Sequence, residues 1–467
     1  MTNQSDKEGS NRIAALVAAY EQEGLAVFLD QDAFLKLIDY YLKKKNKETA
    51  LSIAKHASGH YPYSSDFYLH QAHIHVQKSN FSLALDVLEQ ALSFTPADFE
   101  LLLLRAEVFI YLNRIEEALA SLAPLKLEAQ KKDLCDIYIV EALAYEFLDD
   151  FEHLFYALRA ALYANPKSKA AFSKIGLGMD AARKHEEASV LFQWVINEHP
   201  YSSLAWYNLG HAQAYLGNNE EAIEAYEYAF LTNPHFESAY FHYADLCFDM
   251  HHFERALDIY QEISERFDSD SDLLLRIGSC YHHQSLHDTA RKYLEKAARL
   301  DPHNDEVFYH LGECYAAQEK WSKAYEFFRK AIRMDSEREE YYLALSETAF
   351  ELGHFETAEK AYQSALELAP DNVQIWLNFA WFLLEMMRQK EALDLLEEAH
   401  DLLIDTELHY GYTACLFATG RRQEGIQQLT SALNEDYMGY SWLFEWMPEL
   451  RSDKEVNAII ALYAPDE

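Results

Sequence analysis

Seven alanines, Ala188, Ala222, Ala256, Ala290, Ala324, Ala358 and Ala392, stand 34 residues apart along this chain. A period of that length, held in register, marks one supersecondary unit stacked on copies of itself. No such unit buries its apolar face alone, so each must do so against its neighbours. A second ladder of small residues runs twelve places ahead of the first, at Gly176, Gly210, Ala244, Gly278, Gly312, Ser346 and Ala380. Twelve places after the alanines, proline closes several units at Pro200, Pro234, Pro302 and Pro370, where a ring without an N–H stops a helix.

The stretch AWYNLGHAQAYLGNNEEAIEAYEYAFLTNP therefore reads as helix, tight turn, helix, stop, with Gly217 at the turn. Two helices packed at close distance need a small residue on each where they cross and bulky residues beside the crossing. Gly210 and Ala222 are placed to be the crossing points. Trp206, Leu209, Leu216, Tyr226 and Phe230 are placed to fill the grooves, so that losing Trp206 is expected to open a cavity. Composition agrees: half of the 467 residues are hydrophobic and only 14 are glycine and 10 proline, which favours long helices over an all-β fold.

The order aromatic, Leu-Gly, Ala, aromatic, Ala and Pro, met by Trp206, Leu209, Gly210, Ala222, Tyr226, Ala229 and Pro234, resembles the tetratricopeptide repeat. The tyrosine that the family often carries three places after its glycine is Gln213 in this unit, while Tyr281 and Tyr315 hold that place in later ones. The resemblance implies an all-α fold, a right-handed solenoid of tandem helix-turn-helix units. It also implies that the first helices line a concave face where extended or helical peptides bind.

Carried backwards, the frame gives a unit over residues 138–166. Across a two-residue insertion near Lys131, it then gives units centred on Ala106 with Ala118, Ala72 with Ala84, and Ile38 with Ala50. Forwards from Ala392 it slips by one residue into a degenerate unit with Gly420, Gly425 and Ala432. About twelve repeats result. Residues 1–30 are expected to be a polar segment and a capping helix, 31–436 the solenoid with its best-fitting part at 170–403, and 437–467 C-terminal capping helices. The caps are read from Ile13, Leu16, Val17 and Tyr20, and from Trp442, Phe444, Leu450, Val456, Ile459, Ile460 and Tyr463, which recur at helical spacing.

Counting one, five and eight or nine places from the leading large residue of each unit picks out the inward positions. They include Tyr207, His211, Phe241, Asp245, Phe248, Asp249, Tyr309, Glu313, Leu343, Glu347 and Phe350, with Glu351 and Trp381 beyond. The inventory is aromatic and acidic, and Lys43 is the one cation at these places. Family members that grip the carboxylate of a chaperone tail use Lys, Arg and Asn on this face, so the resemblance does not extend to that use. The expected ligand is a peptide segment or protein surface with Lys or Arg among apolar residues, held by charge and by cation–π contact. An alternative is a structural assembly subunit that binds through its edges or convex face.

With 40 Lys and Arg against 77 Asp and Glu, the formal net charge of −37 repels phosphate backbones and anionic lipid. Nucleic acid and membrane insertion are therefore not expected, and the N-terminal sequence MTNQSDKEGSN lacks a signal peptide's apolar core, which points to the cytoplasm. The five cysteines lack a CxxC pair and read as small buried residues. Histidines cluster at His70, His73 and His75, at His251 and His252, and at His282, His283 and His287, but the residue four places after His73 is Gln77 and the adjacent doublets point to different sides of a helix or sit in turns, so no metal or cofactor is expected. Common catalytic signatures such as GxSxG and HExxH do not occur, and the carboxylate pairs lie on solvated helix faces, so the chain is not read as an enzyme.

Overall fold

The computed structural model describes residues 13–22, Gly24 and 29–464. The expected polar segment at Met1 to Asn11 lies outside these. The chain divides into two compact units, Met1–Tyr243 and Ala244–Glu467. Among the described residues every regular element is a helix, and helices of 12 to 17 residues follow one another as twelve antiparallel pairs, from Gln31–Lys43 with Lys47–His60 to Thr406–Ala418 with Arg422–Glu435. The expectation of an all-α array of tandem helix-turn-helix repeats is met.

Local chemistry sets the helix bounds. First helices commonly start on a side-chain cap: Ser168, Ser202, Asp270, Asn304 and Asp405 each accept the backbone N–H three residues on. The residue that reverses the chain between the two helices is left-handed in every pair: Lys45, Ser79, Asn113, Asp149, Arg183, Gly217, His251, Ser285, Glu319, Gly353, Met387 and Gly420. These positions keep the 34-residue step, lengthen it by two at Asp149 and shorten it by one at Gly420, which is the insertion and the slip expected from the sequence. The insertion is absorbed by the helix Lys131–Phe147, which has 17 residues where the first helices of the pairs before and after it have 13. Nine of these twelve turns are made without glycine, so the turn conformation is imposed by helix packing rather than by residue preference.

Packing follows the two ladders with one exception. All seven alanines of the second helices have no exposed surface, and Ala244, Ser346 and Ala380 in the first helices are equally shut. The glycines act differently from a simple helix crossing. A Cβ on Gly210 would stand 2.8 Å from the Tyr226 ring, on Gly278 2.8 Å from Leu294, and on Gly312 2.5 Å from the Phe328 ring. Each glycine thus makes room for the bulky side chain sixteen residues later. Gly176 departs from this, with open space beside it. It is on Gly178 that a Cβ would stand 3.1 Å from the backbone of Phe155 in the preceding pair.

Trp206 is only half-buried. It stacks on Tyr228 at 4.6 Å and donates Nε1–H to the carbonyl of Pro200 at 2.7 Å. Trp376 does the same to Pro370 at 2.9 Å and Tyr68, through its hydroxyl, to Pro62 at 3.2 Å, so this aromatic fastens the helix to the proline turn before it, from a half-buried place at Trp206 and a buried one at Trp376 and Tyr68.

The ends are covered. Val17 is buried, and with Ile13, Leu16 and Tyr20 it packs on the cluster around Phe34, Leu37 and Ile38. At the other end Leu443, Leu450, Val456 and Ile460 close over Tyr410, Leu429 and Leu433. Among the described residues no helix is long and apolar enough to cross a membrane.

Two substitutions separate steric from conformational control. Gly312→Ala is expected to lose about 1–3 kcal/mol, because Phe328 is itself buried and its ring cannot yield freely, outweighing alanine's better helix propensity. Met387→Gly, at an exposed left-handed turn, is expected to gain about 0.5–1 kcal/mol. Urea midpoints of the two variants should move in opposite directions.

Candidate functional site

The inward positions fall into three settings. Tyr207, His211 and Phe241 belong to the first compact unit. Tyr207 is half-buried, its hydroxyl 3.1 Å from His242 Nε2 and its ring 4.9 Å from Phe236. Burial raises its pKa, with a contribution from the Asp180 charge. His211 reaches Asp180 of the preceding pair at 3.1 Å, and the same carboxylate meets buried His185 at 2.9 Å. These side chains are engaged in packing one repeat against the next. Phe241 is half-buried.

In the second unit, Phe248 and Asp249 line a cavity of about 410 Å³ with Arg276, His283 and His310. Asp245 lies beside it, holding an ion pair with Arg276 and the hydroxyl proton of Tyr260. Arg276 is a cation on the inward side that the counting of places overlooks. It sits two places after the leading Leu274 and reaches back 31 residues to Asp245. Asn378 likewise sits two places after Trp376 and donates to Glu347, 31 residues back, at 3.1 Å. A search for polar partners at that separation would have found both. Burial, and then the charge of Asp245, hold the Asp249 carboxyl above its ordinary range.

The remaining five residues converge. Tyr309, Glu313, Leu343, Glu347 and Phe350 line one cavity of about 600 Å³, together with Asn378 and Trp381. They come from the first helices Asp305–Ala316, Glu339–Glu351 and Val373–Glu385, and the floor is closed by Phe328 and Tyr362 from second helices. Register explains the convergence: positions 34 residues apart on equivalent helices project in the same direction, so a residue type repeated in sequence becomes a lining repeated in space. Tyr309 stacks on Tyr341 at 4.9 Å, and Phe350 meets the edge of Trp381 at 5.8 Å. Trp381 remains 41% exposed, leaving a large aromatic face for a ligand.

The two carboxylates of this cavity are tuned oppositely. Burial alone would raise Glu313. The hydrogen bond from His310 at 2.7 Å and the neighbouring imidazoles outweigh it and hold the carboxyl below its usual range. Glu347 has only neutral Asn378, and burial pushes it up. A depressed carboxyl contributes stability above its unfolded pKa that is lost as pH falls through the folded value. A raised one destabilises once ionised, and stability is regained on acidification. Calorimetry near neutral pH should show Glu313→Gln lowering the stability and Glu347→Gln raising it, each by less than about 1 kcal/mol.

Residues 203–236, 244–305, 282–348 and 349–402 match descriptions of the tetratricopeptide repeat. Residues 30–141 match the ChAPs family, described as Chs5p-Arf1p-binding proteins. No curated protein matches the sequence. Among solved structures, yeast Tom70 is 18% identical over 92% of this chain and 98% of its own, with a TM-score of 0.44. The Cut9–Hcn1 hetero-tetramer of the APC/C gives 12% identity over 93% and 97%, with a TM-score of 0.37. YrrB, described as a TPR protein with an unusual peptide-binding site, is 18% identical over 39% of this chain and 95% of its own, at 0.32.

Proposed function

We propose that this chain, which belongs to the tetratricopeptide-repeat family, is a non-catalytic scaffold that binds a protein segment in the groove around Tyr309, Glu313, Leu343, Glu347 and Phe350. The observation that carries the reading is the 600 Å³ cavity, in which aromatic and aliphatic surface surrounds two carboxylates on the first helices of successive repeats. A segment carrying Lys or Arg among apolar residues complements it: the cation meets Glu347, which lacks a charged partner, while the apolar neighbours lie on Trp381 and Leu343. Phe248 and Asp249 extend the lining, and Asp245 is a weaker contributor because Arg276 already neutralises it. Tyr207, His211 and Phe241 contribute through a separate surface of the first unit. The match of residues 30–141 to Chs5p-Arf1p-binding proteins supports protein partners as the general class. Free, buried cysteines throughout suit a reducing cytoplasm.

A second reading, assembly through another face, is favoured by the cations Arg329, Lys330 and Arg333 around a separate depression on the second helices. Fluorescence anisotropy with basic-apolar, acidic-apolar and scrambled peptides distinguishes the two. Basic-apolar peptides are expected to bind, to weaken as salt rises, and to lose about tenfold in affinity with Trp381→Ala or Glu347→Gln. If the acidic peptides bind instead, or both variants bind as the wild type does, the groove reading fails and the second face takes its place.

A further inference from the structure

Beside the groove lies a cluster of different chemistry. His282, near the end of helix Ser271–His283, His287, at the start of His287–Leu300, and Cys314, within Asp305–Ala316, place one ligand atom each within 4.8 Å of the others. His282 Nδ1 is 3.3 Å from Cys314 Sγ, and the two imidazole rings stand 5.0 Å apart. Cys314 has no exposed surface, and His287 Nδ1 is shut from solvent without a hydrogen-bond partner. A buried polar atom left unpaired keeps the full cost of its lost hydration, so this arrangement is unfavourable unless something satisfies it. No peptide-binding role accounts for it, since only His282 of the three faces the groove.

We propose that His282, His287 and Cys314 bind one borderline-soft divalent cation, zinc foremost, joining two successive repeats. Two imidazoles and a thiolate are the donor set such ions prefer over calcium or magnesium. Zinc bonds of about 2.0–2.1 Å to nitrogen and 2.3 Å to sulfur, set tetrahedrally, put donors roughly 3.3–3.7 Å apart. The His282–Cys314 pair already meets that spacing, and the widest separation exceeds it by little more than 1 Å, within reach of side-chain rotation. Loading transfers the Cys314 thiol proton to solvent as sulfur binds as thiolate. Glu313, next in sequence to Cys314 and close enough to act on His282, adds a compensating negative charge. Three protein donors leave a fourth position to water or to a ligand's donor, and His282 borders the groove from which either would come. Because the histidines belong to one repeat and the cysteine to the next, the ion would staple that interface. This site stands independently of the peptide-binding reading.

The test is a titration of the reduced full-length chain with cobalt chloride, followed by zinc chloride. Tetrahedral thiolate-bound cobalt gives a near-ultraviolet charge-transfer band, which reports the sulfur directly. One equivalent is expected to bind, to be displaced by zinc and to raise the melting temperature. The band should vanish in Cys314→Ser and persist in Cys415→Ser, a buried cysteine of another repeat. His287→Gln, at a half-buried position tolerant of change, should weaken cobalt binding at least about tenfold and carries the test should Cys314→Ser fail to fold. A wild type without the charge-transfer band, or a band that survives both His287→Gln and Cys314→Ser at unchanged affinity, overturns the site.

Discussion

Everything in this molecule depends on how closely the two helices of a repeat can approach. The alanines of the second helices are wholly buried, and the glycines of the first accept a ring or a leucine where even a methyl group would collide. That close packing fixes the turn between the helices, which adopts a left-handed residue in all twelve pairs although only three have glycine there. It also fixes the direction in which the inward positions point. The groove is a by-product of the crossing: the same constraint that places Phe328 over Gly312 makes it the floor on which Tyr309 and Glu313 stand.

Much of the fold was legible because its cause is local and repeated. Small residues 34 apart, proline stops and Ser, Asp or Asn caps each act within a few residues of themselves, so the insertion before Asp149 and the slip before Gly420 can be followed in the sequence alone. Gly176 shows the limit of this reasoning. It holds the ladder position by register, yet the close contact belongs to Gly178, because packing against the neighbouring pair is not constrained to the same residue in every unit. Trp206 shows another: its size suggested a filled cavity, while its indole N–H finds the Pro200 carbonyl at the surface.

The candidate site was legible only as a list of places. Counting along equivalent helices gathered Tyr309, Glu313, Leu343, Glu347 and Phe350, which do share one cavity. What counting could not supply was the partner each acid already has. Arg276 pairs with Asp245 and His310 with Glu313, one across the repeat boundary and one along its own helix, and each alters how much charge is left for a ligand. Cys314 is 27 residues beyond His287, a separation that matches no metal motif, and only the stacking of repeats brings the two together.

The cross-repeat pairs have a mechanical meaning as well. Asp245 with Arg276, Asp272 with Asn304, Glu306 with Arg338 and Glu347 with Asn378 tie four successive repeats of the second unit each to the one after it. They differ in kind: Arg388 on Glu359 adds an ion pair to the last of these boundaries, while the Asp272–Asn304 boundary is held by neutral donors, so the stack is a spring whose stiffness varies along its length. Under tension, or under the pull of a partner that grips several repeats at once, extension would concentrate at the boundary with neutral donors before the charged ones give. Elasticity is thus written into which polar side chains face one another across each repeat boundary, a property that can change without disturbing the buried ladder that holds the fold.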